Sequence, residues 1–226
     1  MKTVLAIGGH IGDMDLTAGP VLARLAEEGD RVIILACTYG ERGHPRMTPD
    51  AYRQQKLEEG QSFADGIGAE FRTLGFSDGF LPDDDSAAEL IADMIRQDKP
   101  ELIITHWRKS MHRDHERAAA LAERARFLAS LPVDSPLGRH GVSQILHVHN
   151  WEDAEDFVPD RYVAVTDSAF EKWRVAIQKQ AFARGETYGF RFIDYYSAMM
   201  LANGCLAGTT RACGFVGAGR AGLVDL

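Results

Sequence analysis

Cysteine is scarce in this chain: three residues, Cys37, Cys205 and Cys213, among 226. An odd, scattered set without ligand-like spacing excludes a disulfide framework and a cysteine-built metal site, and it suits a reducing compartment. Basic runs are also missing. Lys and Arg number 25 against 33 Asp and Glu, for a net charge of −8. Neither a nucleic-acid partner nor an anionic membrane surface is therefore expected. No apolar run approaches the roughly 20 residues that a membrane-crossing helix needs. The short run Val4–Ile7 ends at Gly8-Gly9-His10 and has no secretory cleavage pattern after it. The expectation is a soluble, cytoplasmic protein without a membrane partner. Repeats, low-complexity linkers and composition breaks are absent. One domain over 1–226 is expected, with a Gly- and Ala-rich flexible tail after about residue 214.

The chain does have an alternation of short apolar runs with helical patterns. Val4–Ile7, Val32–Leu35, Phe71–Leu74 and Leu102–Thr105 read as strands buried on both faces. Between and after them, Leu16–Glu28, Tyr52–Ile67, a helix opened by Asp83-Asp84-Asp85, and Glu116–Leu128 read as helices. Ile145–His149 and Tyr162–Val165 read as further strands, and Asp167–Phe182 and Phe190–Leu206 as further helices. Hydrophobic residues make up 45%, enough for a two-sided core. The pattern predicts an α/β fold: a Rossmann-like, doubly wound, mostly parallel sheet flanked by helices. Gly8-Gly9 is not a dinucleotide fingerprint, because the third glycine and the later acidic partner are missing.

Two clusters sit at equivalent strand ends. His10-Ile11-Gly12-Asp13 follows the first strand, and His112-Arg113-Asp114-His115 follows the fourth. In open α/β sheets this edge binds ligands. Imidazoles and a carboxylate converging there suit Zn²⁺, or Fe²⁺ or Mn²⁺, with a coordination position left for water. The competing reading makes each group a helix cap or a solvated surface residue. His147 and His149 read as structural histidines.

With these motifs in view, the sequence resembles the LmbE-like (PIG-L) family of zinc-dependent N-acetylglucosaminyl deacetylases. The family's His-Pro-Asp-Asp-x-Glu appears as His10-Ile11-Gly12-Asp13-Met14-Asp15, its Thr-x-Gly-Glu as Thr38-Tyr39-Gly40-Glu41, and its His-Pro-Asp-His as His112-Arg113-Asp114-His115. The resemblance covers at least residues 1–200. It implies His10, Asp13 and His115 as metal ligands, His112 as the catalytic histidine near a substrate carbonyl, and Asp114 as an orienting carboxylate. It also implies a zinc-dependent amide hydrolase that deacetylates an N-acetylated amino sugar or related small molecule through a metal-activated water.

The departures bear on mechanism. The family's general-base Asp is here Gly12, which has no side chain, and its Glu is the shorter Asp15. Ala212-Cys213-Gly214-Phe215 matches the end of the family pattern without its Glu. Three readings stand: Asp15, Glu41 or Asp114 acts as a substitute base, with Asp15 favoured; the activated water reacts without a strong base; or the chain is a catalytically weak or inactive metal- and ligand-binding member. Glu41, Arg42, His44, Arg53, Trp107, Arg108 and Lys109, on loops at the ligand edge, are the candidate contacts for a sugar-like substrate. Association into a homo-oligomer is left open.

Overall fold

A computed structural model of the chain describes residues 1–132 and 136–217. Five strands run parallel: β1 (Thr3–His10), β2 (Arg31–Thr38), β3 (Glu70–Phe76), β4 (Leu102–His106) and β5 (Gln144–Val148). Two more, β6 (Arg161–Ala164) and β7 (Ala212–Gly217), complete the sheet in antiparallel pairings. The order is β3-β2-β1-β4-β5-β7-β6. The expected α/β class and doubly wound, mostly parallel sheet are thus observed.

The alternation of side chains along each strand separates two cores. Leu5, Ile7, Ile33, Leu35 and Ile103 face α4 (Asp85–Asp98) and α5 (Arg113–Ser130). Val4, Ala6, Ile34 and Ile104 face the side covered by α2 (Gly19–Glu27), α3 (Pro49–Ile67), α6 (Asp167–Ile177) and α7 (Phe192–Ala207). Because β1 pairs with β2 on one side and β4 on the other, the chain reverses its winding at the β1/β4 seam. The C-terminal ends of these two strands flank a crevice at that seam.

The largest departures from the sequence reading fall in three places, beyond shifts of a few residues at other element ends. The helix expected over Leu16–Glu28 is two helices, α1 (Asp13–Thr17) and α2, broken at Ala18. Pro20 cannot donate the hydrogen bond that would continue α1, and the Trp173 indole lies so close to Gly19 that a Cβ there would stand 2.7 Å from it. The helix expected to reach Phe182 ends at Ile177. Turns then return the chain, Lys179 N donating to Ala176 O and Gln180 N to Ile177 O, and Gln180 and Phe182 come to rest over the β1–α1 turn. No flexible tail begins at 214: Phe215, Val216 and Gly217 belong to β7, pairing with β5 and β6. Residues 218–226 lie outside the described residues. No helix among the described residues is long and apolar enough to cross a membrane.

Candidate metal centre

His10 is the last residue of β1, and Asp13 opens α1 after a turn in which Gly12 takes φ 106°. That turn folds Asp13 back, so its Oδ2 accepts the His10 backbone N–H at 2.7 Å. His115 arrives from the first turn of α5. Three donor atoms then converge: His10 Nδ1 and Asp13 Oδ2 at 3.2 Å, His10 Nδ1 and His115 Nε2 at 3.2 Å, and His115 Nε2 and Asp13 Oδ2 at 3.4 Å. Ligands about 2.0–2.1 Å from a tetrahedral ion stand about 3.3 Å apart. The triangle therefore fits a zinc-sized divalent cation in both spacing and donor type.

A ring of carboxylates supports the triangle. His10 Nε2 lies 3.1 Å from Asp78 Oδ1 and 3.5 Å from Asp114 Oδ2. His115 Nδ1 lies 3.0 Å from Asp153 Oδ1, and the other Asp153 oxygen is 2.9 Å from His106 Nδ1. His106, fully buried at the end of β4, places Nε2 3.0 Å from Asp13 Oδ2 and 3.0 Å from the Gly9 amide that donates to it. Such carboxylate–histidine pairs fix the ring and tautomer of a metal-binding imidazole. The electrostatics agree. Burial alone would depress His10, yet Asp13, Asp114 and Asp78 raise it well above its usual pKa. A field that strongly favours a proton on His10 also favours a cation between these groups. Burial and then His106 push His115 down to about 4, which keeps it in the neutral, ligating form. Against its burial, His106 and His115 hold Asp153 well below the carboxylate range. Asp153→Asn should weaken zinc affinity about 10–100-fold in a competition titration; unchanged affinity would show that Asp153 does not position His115.

His112 caps α5. Its Nδ1 accepts the Asp114 amide at 3.3 Å, which assigns the ring proton to Nε2. Its ring packs 4.5 Å from that of His10 and 4.8 Å from that of His115. His10, Asp13, Asp78, His112, His115 and Glu152 supply acidic and imidazole groups to a cavity of ≈ 460 Å³. Ile11, Phe182, Tyr188, Phe190 and Phe192 supply its apolar wall, and Lys56 reaches it as well.

Of the residues singled out from the sequence, His10, Asp13, Asp114, His115 and His112 come together. Asp15 does not line the cavity. It is buried, its carboxylate takes the Gln180 amide, and burial pushes its pKa up to about 7 against that bond. The space beside Gly12 is filled: a Cβ there would lie 2.5 Å from Phe182 Cζ and 2.9 Å from Gln180 Oε1.

Among the described residues, none of the seven expected substrate contacts lines the cavity either. The buried Glu41 carboxylate accepts from Ser77 Oγ and the Asp78 amide, tying the β2 and β3 loops together. Arg42 binds Ser77 Oγ, and His44 Nδ1 accepts the Met47 amide. Arg53 lies over the Tyr39 ring. Trp107 donates to Glu155 O, Arg108 pairs with Glu123, and Lys109 pairs with Asp156. Only the backbone neighbours Gly40 and Gly43 of that first loop reach the cavity.

The sequence reading missed His106, Asp78, Glu152, Asp153 and Lys56. The strand-end rule applied to β1 and β4 reaches most of them: Asp78 follows β3, Asn150-Trp151-Glu152-Asp153 follows β5, and His106 closes β4. Of the two histidines expected on the fifth strand, His147 lies on β5 and serves the fold, its Nδ1 donating to His106 O at 2.6 Å, while His149 follows the strand end.

Comparison with known proteins places this geometry. The PIG-L profile, described as GlcNAc-PI de-N-acetylase, matches residues 5–126. The chain belongs to the PIG-L family. It is 27% identical over 218 residues to a 4-oxalmesaconate hydratase of Pseudomonas putida, covering 91% of this chain and 81% of that one. It is 26% identical over 215 residues to a 1D-myo-inositol 2-acetamido-2-deoxy-alpha-D-glucopyranoside deacetylase of Streptomyces avermitilis, covering 81% and 69%. Its fold matches the 4-carboxy-2-hydroxymuconate hydratase of P. putida over the whole of both chains, with TM-score 0.90 and 23% identity. It also matches the N,N'-diacetylchitobiose deacetylase of Pyrococcus horikoshii over 96% and 84% of the chains, with TM-score 0.78 and 19% identity.

Proposed function

We propose that the chain is a zinc-dependent enzyme that brings water to a small polar molecule, and that its reaction is amide hydrolysis, releasing acetate from an N-acetylated amino sugar or a related compound. The observation that carries this reading is the donor triangle of His10, Asp13 and His115 beside His112 in the lining of one cavity. Deacetylases among the relatives support it. His10, Asp13 and His115 would hold the ion, which supplies a Lewis acid and acidifies bound water. Asp78, Asp114 and Asp153 orient the two ligating imidazoles through their outer nitrogens. His112, whose single ring proton lies on Nε2, would donate it as a hydrogen bond that stabilises negative charge on a carbonyl oxygen. Glu152 is a cavity carboxylate raised to about 7 by burial and by Asp13 and Asp153.

His112→Ala tests the assignment. It should retain zinc and lose about 10²-fold or more in kcat for acetate release from N-acetylglucosamine derivatives. Loss of zinc together with activity would make His112 a ligand instead.

One observation favours a second reading, hydration of a carbon–carbon double bond. The place where the resemblance expects a carboxylate base is closed by Phe182 over Gly12, and a hydratase shares 27% identity along most of its length. A zinc-loaded protein that releases no acetate above buffer, yet hydrates unsaturated carboxylic acids, would replace the first reading with this one.

A further inference from the structure

Lys56 lies on the core-facing side of α3, in line with the buried residues Tyr52, Gly60 and Phe63. Lysine is almost never buried without a partner, yet Lys56 is only 5% exposed. Among the described residues its ammonium makes no hydrogen bond or ion pair; its contacts are the ring faces of Phe182, 4.0 Å from Nζ to the centroid, and Tyr52, 6.0 Å away. None of the neighbouring carboxylates pairs with it, although Glu59 Oε2 is buried without a partner of its own. Asp15 takes Gln180, Glu59 Oε1 takes Gln55 and the Ala181 amide, and Asp13 faces the histidines. The side chain lines the cavity that also holds the donor triangle.

We propose that Lys56 is an anion subsite of this cavity and takes a carboxylate of a small organic acid whose apolar body lies against Phe182, Tyr188 and Phe190. That the reacting end of this molecule lies at the donor triangle rests on the proposed metal chemistry; the subsite itself does not. A single ammonium, with no arginine among the cavity residues, suits a monoanionic head. Phosphate recognition draws on several donors at once, and the surrounding acids, Asp13, Asp15, Glu59 and Asp78, act electrostatically on Lys56 and disfavour the doubly charged head of a phosphate, whereas each carboxylate of a dicarboxylic acid carries a single charge. A buried cation–anion contact against the Phe182 ring gains strength from the low local dielectric.

Calorimetric titration of the zinc-loaded protein with succinate and with succinamide, which differ in charge and little in shape, tests the proposal. Succinate should bind the native protein at least tenfold more tightly than succinamide. Lys56→Met and Lys56→Gln should each weaken succinate about 10–100-fold while leaving zinc content and succinamide binding unchanged. Equal binding of the two probes, succinate affinity indifferent to both substitutions, or a preference for inorganic phosphate would overturn the subsite. The native comparison requires no variant to fold. A protein with no turnover but Lys56-dependent succinate binding would refute the catalytic reading and leave the subsite standing.

Discussion

Zinc measured on the purified His10→Ala/His115→Ala protein should fall from about one ion per chain to near zero. The two substitutions remove two corners of the 3.2, 3.2 and 3.4 Å triangle. They also disable every other donor set among the described residues. His10-His112-His115 loses two members, Asp13-His106-His115 loses one, and His10-Asp78-Asp114 loses one. By contrast, His112→Ala touches only the first set. In the double variant Asp13 would remain as a carboxylate without its neighbouring imidazole donors, too little to hold a divalent ion against water. The loss should also show in unfolding. Zinc at 100 times its dissociation constant stabilises a single-site protein by about 2.7 kcal/mol, so zinc should raise the melting temperature of the native chain and leave that of the variant unmoved. Full zinc occupancy in the double variant would sink the assignment of the centre.

Gly12→Asp should unfold the protein more readily, and should lower turnover even though it restores the carboxylate that the resemblance expects at this position. Two costs add. Gly12 sits at φ 106°, a region that L side chains rarely adopt, at roughly 1–3 kcal/mol. The new Cβ would stand 2.5 Å from Phe182 and 2.9 Å from Gln180, and overpacking of this kind costs roughly 1–3 kcal/mol more. A combined loss of about 2–6 kcal/mol lowers the melting temperature of a chain this size by on the order of 10 °C. Gly12→Ala should lose most of the same stability without adding a charge, which isolates the steric part. Adding Phe182→Ala to Gly12→Asp opens room for the carboxylate but leaves the φ cost. A Gly12→Asp protein that melts with the native chain would show that Phe182 swings aside freely and does not close this position.

Much of the architecture was legible because buried parallel strands announce themselves. Val4–Ile7, Val32–Leu35 and Leu102–Thr105 are continuous apolar runs, and a sheet covered on both faces demands such runs. The donor triangle was legible for a related reason: His10 and Asp13 follow one such run closely, and His115 another. The residues behind the triangle were harder to see. Asp78, Asp153 and His106 look like ordinary polar loop residues or a strand end, and only the sheet order brings the ends of β3, β4 and β5 to one point. Lys56 was hidden more thoroughly. On a helix rich in Gln, Glu and Asp, its single lysine turned inward has no local signature. The residues expected as substrate contacts stand outside the cavity lining for the opposite reason. Their charges and rings are conspicuous in sequence, but Arg42 and Lys109 find partners on neighbouring loops, Arg108 pairs with Glu123 on α5, and Arg53 lies on α3 over the Tyr39 ring. The break at Pro20 was written in the chain, and the end of α6 at Ile177 was not. Gln180 continues the apolar helical face, and only its bond to Asp15 shows why the backbone turns away.

The aromatic wall of the cavity comes almost entirely from one short stretch, 182–192, beyond the end of α6. The triangle comes from residues 10–115, all within the span that the family profile recognises. Reactivity and shape are thus encoded in separate passages of the chain. Mutation in the later passage can alter which molecules are admitted while the inherited chemistry is left intact, so relatives with the same ligating residues can diverge in what they accept through an exchange as small as one loop.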